Sequence, residues 1–299
     1  MDAREAKTRV ALLSVASNTI LVVGKIAVGI AIGSVSVVSE AIHSAIDLLA
    51  AGIALFAVRR SGKPPDRDHP FGHGKIENLS GAVEAMLILV AAVWIVSEAV
   101  DKLIHPRAID APGLGVGVML VSAAMNYWIS GRLFAVAKET ESVALDADGW
   151  HLMTDVYTSL GVMLGLILIW AGESIFPGTH FPWIDPVAAL VVACMIGWAA
   201  VRLTFQAGHD LLDGSLPADE EAWIGAYIRS RMPPIRAFHD LRTRKAGAVR
   251  IIEFHMLVDP GMSVEDSHRI TGEIKQAIRS RFAEAIVTIH VEPYHPPSS

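Results

Sequence analysis

The 299-residue chain is 52% hydrophobic and only 19% charged, with a mean hydropathy of +0.44, too apolar for an ordinary cytosolic enzyme and too rich in core formers for disorder. Its 25 basic and 31 acidic residues give a formal charge of −6, which excludes the basic field that holds nucleic acid. A single cysteine, Cys194, excludes disulfide frameworks, iron–sulfur clusters and thiolate zinc fingers, and leaves histidine, present 12 times, as the soft-metal ligand.

In chain order, Met1 to Arg9 is charged and amphipathic, without the apolar core and cleavage site of a secretory signal. Six apolar stretches follow, over approximately 10–32, 35–58, 79–100, 112–136, 144–171 and 184–206, each long enough to cross a hydrocarbon core of ~20 residues. After Arg202 charged residues become frequent and no later run could span a bilayer. The sequence thus predicts a helical membrane domain with six transmembrane helices over 1–207 and a polar domain over 208–299. Basic residues crowd one side of the spans: Arg4, Lys7 and Arg9, then Arg59, Arg60, Lys63, Arg67 and Lys75, then Arg132 and Lys138. The other side has Lys102 and Arg107, a bias that predicts both termini in the cytoplasm.

In the last third, Pro217 to Met232 reads as a helix capped near Ser215, with Asp219, Glu220 and Glu221 in its first turn. Phe238 to Thr243 and Val249 to Val258 read as strands around the turn 245–247. Val264 to Phe282 reads as a helix capped by Ser263, and Ala285 to Val291 as a last strand. The order α-β-β-α-β predicts a small α+β, ferredoxin-like domain with its helices on one face of the sheet.

The most informative residues are ionisable groups inside the spans, where a charge costs at least ~2.5–3.5 kcal/mol. The second span holds Glu40, His43 and Asp47, and the fifth holds Asp148, His151 and Asp155, both reading acid-x-x-His-x-x-x-Asp. Residues four apart share a helical face, so each helix presents a histidine and an aspartate on one stripe. Three readings are open: neutral hydrogen-bonded structure, a proton relay without metal, and two helices meeting around one ion. In the last, two imidazoles and two carboxylates form the tetrahedral N/O set that suits zinc, with no position left for an activated water. Metal binding there requires unprotonated imidazoles, and since a histidine of unperturbed pKa, near ~6.5, exchanges its proton across the physiological range, metal and proton exchange are coupled. Asn18, Lys25, Glu84, Glu98 and Asn126 are further polar residues in the spans that could line a cavity or bond between helices, and Lys25 and Glu98 could also snorkel.

Between the second and third spans, Asp66, His69 and His73 place two imidazoles at i and i+4 with a carboxylate one turn earlier. If partly helical, that segment can hold an ion; otherwise it is a hydrated polar loop. Asp68 is a competing ligand.

The paired His-x-x-x-Asp motifs, the six spans, the loop 66–78, and the segments 237–244 and 288–292 together resemble the cation diffusion facilitator family, over nearly the whole chain. The resemblance implies a homodimeric antiporter that expels zinc or similar divalent ions from the cytoplasm against protons. Its transport site lies between the second and fifth spans, at His43, Asp47, His151 and Asp155. Many bacterial members have aspartate in place of His43; the set found here is similar to that of zinc-selective members. Efflux of Fe2+, Co2+, Cd2+ or Mn2+, or a membrane zinc sensor without transport, are the alternatives. The resemblance also implies a zinc site at Asp66, His69 and His73, and a charge interlock between protomers by Lys75 and Asp213. In the polar domain it implies a zinc cluster at His239, His255, His268, His290 and Glu292. Glu292 stands where the best-known bacterial members have aspartate, which leaves open a bridged binuclear cluster or one ion per protomer. The absence of a histidine-rich run between the fourth and fifth spans suggests a bacterial inner membrane, and no hydrolase motif suggests an enzyme.

Overall fold

The computed structural model describes residues 3–32, 35–105, 114–175 and 183–295, in two compact units, Met1–Gly208 and His209–Ser299. The first unit is built from six long helices, α1 (Ala3–Ile32), α2 (Val35–Ser61), α3 (Lys75–Ile104), α4 (Leu114–Thr140), α5 (Val143–Ile175) and α6 (Ile184–Leu211). They coincide in position with the six predicted stretches. Most run further into the charged flanks, which remain helical outside the apolar stretch. Among the described residues, Ala3–Val28, Lys75–Ile104 and Pro186–Leu211 are long and apolar enough to cross a membrane.

The side chains in this unit are sorted by size. Ala50, Ala51, Ala54 and Ala57 of α2 and Ala85, Ile88 and Ala92 of α3 are buried, whereas Leu49, Phe56, Trp94, Trp128, Trp198 and Phe205 face outward. Small residues inside let backbones approach closely, and large apolar residues outside suit a lipid surroundings rather than water. Gly81 is one place where closeness demands glycine. A β-carbon there would lie 2.7 Å from Val143 Cγ1, so α3 and α5 could not meet as they do.

One buried carboxylate gathers the ends of four helices. Glu77, in the first turn of α3, accepts hydrogen bonds from Lys7 Nζ of α1 at 2.9 Å, from Ser61 Oγ of α2 at 2.6 Å, and from Ser142 Oγ at the start of α5. Lys25 does not snorkel: it is buried and donates to Ser44 Oγ of α2 at 2.8 Å.

The second unit contains α7 (Ala218–Ser230), β1 (Ile235–Ala246), β2 (Val249–Val258), α8 (Val264–Arg281) and β3 (Ile286–Pro293). The sheet order is β1-β2-β3, with β1 antiparallel and β3 parallel to β2. The expected α-β-β-α-β order and small α+β sheet are therefore present. Ile252, Phe254, Met256 and Val258 of β2 form one core with Ile224 and Ile228 of α7 and Ile270, Ile274 and Ile278 of α8. Both helices thus cover the same sheet face, because these strand residues alternate with a period of two.

Two local expectations shift. Pro217, not Ser215, stands at the N-cap of α7, and it makes no side-chain cap bond. The hairpin turn is Gly247-Ala248 rather than 245–247, because Gly247 adopts φ +61° while Lys245 and Ala246 still pair with Arg250 and Val249. Ser263 caps α8 as expected, its Oγ accepting from Asp266 N at 3.0 Å.

Candidate metal centres

The first candidate centre lies between α2 and α5. Asp47 is buried on α2 and His151 on α5, and His151 Nε2 stands 3.2 Å from Asp47 Oδ1. The other ring nitrogen, His151 Nδ1, is buried with no hydrogen-bond partner among the described residues. Asp155, one turn further along α5, is near enough for its charge to act on His151, and its Oδ2 accepts from Asn126 Nδ2 of α4 at 3.2 Å. The fourth predicted ligand, His43, belongs to α2 one turn before Asp47; its side chain lies outside the described residues, as does that of Glu40. Of the four predicted groups, the structure brings Asp47 and His151 into contact across two helices, with Asp155 near enough for its charge to act on His151. Asn126 is the residue that spacing missed as a positioning group for Asp155, since nothing local links α4 to a carboxylate 29 positions later.

The second centre is the loop before α3. Asp66 Oδ1 lies 3.2 Å from His69 Nδ1 and Asp66 Oδ2 lies 3.3 Å from His73 Nε2, with the two imidazole centroids 4.4 Å apart. The segment is not helical, as the i, i+4 spacing assumed. Instead Asp66 Oδ1 accepts from the backbone N–H groups of Asp68 and His69, folding the chain back, and Gly72 at φ +83° completes the turn. The His69 N–H bond holds the Asp66 carboxyl below its ordinary pKa. His73 is buried, and both its ring nitrogens lack hydrogen bonds of proper geometry among the described residues. Asp68 contributes its backbone, not its carboxylate, to this turn.

The third centre is a row of imidazoles across the sheet. His239 pairs directly with His255, and His255 with His290, so three histidines from three strands lie side by side. Paired residues share a sheet face, and His255 alternates with the β2 residues that pack on α7 and α8. The row therefore occupies the opposite face. Glu292, two residues beyond His290, reaches all three rings: its oxygens lie 3.1 Å from His239 Nε2, 3.0 Å from His255 Nδ1 and 3.5 Å from His290 Nε2. The extra methylene of glutamate does not prevent this contact. His255 Nδ1, although 3.0 Å from a carboxylate oxygen, is off the line of a hydrogen bond. Imidazole nitrogens converging on one carboxylate form the kind of donor set a cation takes.

Asp240 is the residue here that the sequence reading missed. It sits at φ +52° in a bulge where Asp240 and Leu241 oppose the single residue Phe254, which places its carboxylate 3.8 Å from His239 Nδ1 and beside His255. Its position directly after His239 was the available signal. His268 makes none of these contacts and stands exposed on α8, beside Thr271 and Gly272. Lys75 opens α3 in the first unit, and Asp213, at φ +59° in the second, pairs with Arg244 at 2.9 Å.

A family model described as the cation efflux transmembrane domain matches residues 11–212, and one described as the cation efflux protein, cytoplasmic domain, matches residues 216–294. Among curated relatives, an uncharacterized transporter of Synechocystis is 36% identical over 268 residues, 89% of this chain and 84% of that protein. The cation-efflux pump FieF of Serratia proteamaculans is 32% identical over 283 residues, 95% of this chain and 91% of that protein. Among solved structures, the metal-bound C-terminal domain of the CzcD transporter from Thermotoga maritima is 30% identical, covering 28% of this chain and all of that one, at a TM-score of 0.25.

Proposed function

Since the chain belongs to the cation diffusion facilitator family, and so is a multi-pass inner-membrane transporter for metal cation efflux rather than an enzyme, we propose that it exports Zn2+ from the cytoplasm in exchange for protons. The observation that carries this reading is the His151–Asp47 pair, an imidazole and a carboxylate from two different helices 3.2 Å apart in a buried place. With His43 and Asp155 they make a two-nitrogen, two-oxygen donor set of the kind zinc favours. The carboxylates balance a divalent charge, and the imidazoles must lose their protons to bind it. Cytosolic zinc displaces these protons; the helices rearrange to face outward; external protons displace the ion.

The same proposal covers the rest of the chain. Both termini face the cytoplasm, consistent with the basic residues that crowd one side of the helices. The chain acts as a homodimer, which the match to the cytoplasmic dimer-type domain supports, and Lys75 and Asp213 interlock its protomers. The loop of Asp66, His69 and His73 holds a zinc ion near the cytoplasmic mouth. His239, His255, His290 and Glu292, with His268, hold zinc in the cytoplasmic domain and bias the dimer toward transport.

Proteoliposomes decide the matter. Zinc uptake driven by a pH gradient, exceeding that of Mn2+, Fe2+, Co2+ and Cd2+ in competition, is the expected result. Preferred uptake of another ion would transfer the assignment to that metal. No flux of any ion, with zinc still bound by the cytoplasmic domain, would leave a sensor.

A further inference from the structure

The first unit buries another group of donors that none of the three centres uses. Glu84 of α3 and Asp148 of α5 are both fully inaccessible to solvent. Neither Asp148 oxygen has a hydrogen-bond partner among the described residues, and neither has Glu84 Oε2; Glu84 Oε1 accepts from Ser80 Oγ at 3.3 Å. From α1, the Ser14 hydroxyl and the Asn18 amide nitrogen are also buried and unpartnered among the described residues. Ser14 stands in polar range of Asp148 without the alignment of a hydrogen bond, and the charge of Asp148 acts on Glu84. Asn18 follows Ser14 by four residues and shares its helical face.

The helix contacts fix where this group lies. Ser142 of α5 bonds Glu77 of α3, and Gly81 touches Val143, so the two helices start together and run side by side. Glu84 is two turns on from Glu77, and Asp148 lies about 4.5 Å of helix rise before His151. The group therefore sits one turn from the His151–Asp47 pair, on the side of the Glu77 knot.

Two carboxylates sealed from water are not tenable as bare anions; each takes up a proton, or a cation stands between them. Protons on the carboxyls would leave the Asn18 amide nitrogen without a partner among the described residues. A metal cation between the carboxylates would take the Ser14 hydroxyl beside Asp148 and, from one turn along α1, the Asn18 side chain turned to present its oxygen. The donor set holds no imidazole or thiolate, which suits hard divalent ions such as Mn2+ or Mg2+. We propose that Glu84 and Asp148, with Ser14, Asn18 and Ser80, form a second, all-oxygen divalent-cation station beside the His/Asp centre. Only its purpose, a resting place for an ion entering or leaving that centre, depends on the transport reading.

The test counts Mn2+ bound to the detergent-solubilised full chain by electron paramagnetic resonance. An Asp47→Asn, Asp155→Asn parent removes the neighbouring centre and with it transport, so the count is independent of whether the chain exports zinc. Adding Glu84→Gln, or separately Asp148→Asn, is expected to remove one Mn2+ per chain or weaken it about tenfold or more. A Ser14→Ala, Asn18→Ala variant, which leaves both carboxylates in place, is expected to weaken the same ion by a smaller factor. Unchanged Mn2+ binding in these variants overturns the station and leaves the carboxyls protonated.

Discussion

Asp47 and His151 are 104 positions apart in the chain and 3.2 Å apart across the α2–α5 contact. Such a pair has no local cause; it exists because two long helices pack with their polar stripes facing. Asp47→Ala and Asp155→Ala should each reduce metal flux in proteoliposomes by more than about 100-fold, since a ligand is worth more than the 10–100-fold typical of its supporting groups. Metal binding by the sheet histidines should persist in both. Flux at half the parent rate in either variant would remove that residue from the transport site.

Asn126 donates to Asp155 from a third helix. Asn126→Ala should therefore weaken the transported ion about 10-fold, within the range for groups that orient a ligand, and do so mainly through KM. A fall in maximal rate with unchanged KM would instead point to a role in helix movement.

Glu77 collects donors from three other helices and is almost wholly buried. Glu77→Ala strands the Lys7 ammonium and two hydroxyls, and should destabilise the membrane unit by on the order of 3 kcal/mol. Ser142→Ala removes one donor and should cost about 1 kcal/mol. Thermal unfolding in detergent reads both. Equal losses in the two variants would mean that the carboxylate does not organise the cluster.

Glu292 touches three histidines and Asp240 flanks one of them. Chelation of zinc should lower the unfolding temperature of the cytoplasmic unit, the loss corresponding to about 2.7 kcal/mol at a hundredfold excess of free ion over Kd. Glu292→Ala should abolish most of that difference. Asp240→Gly keeps the positive-φ backbone and removes only the carboxylate, so a drop in zinc affinity there makes Asp240 a ligand, and no drop makes it a bulge residue only.

In the loop, the Asp66 carboxyl is held below its ordinary range chiefly by the His69 backbone N–H, so it stays ionised as pH falls through neutrality. Zinc takes an imidazole nitrogen only in its unprotonated form, so acid competes with it at a histidine ligand. Zinc affinity at this loop, measured in a chain lacking the other centres, should fall as pH is lowered while Asp66 is still ionised. An onset delayed to the carboxylate range would exclude the histidines as ligands.

The six helices and the α-β-β-α-β order were legible from the chain alone because each depends on local periodicity: an apolar run, a strand's alternation, a cap such as Ser263. The acid-x-x-His-x-x-x-Asp repeats were legible for the same reason, as ionisable groups inside apolar helices. What packing alone decided is which of these groups touch. The turn that gathers Asp66, His69 and His73 without a helix, the register that aligns His239, His255 and His290, the bulge that turns Asp240 toward them, and the burial of Glu84 beside Asp148 all join residues whose distance the sequence does not encode. Spacing fixes the face on which a side chain stands; only the meeting of helices and the pairing of strands determines what stands opposite.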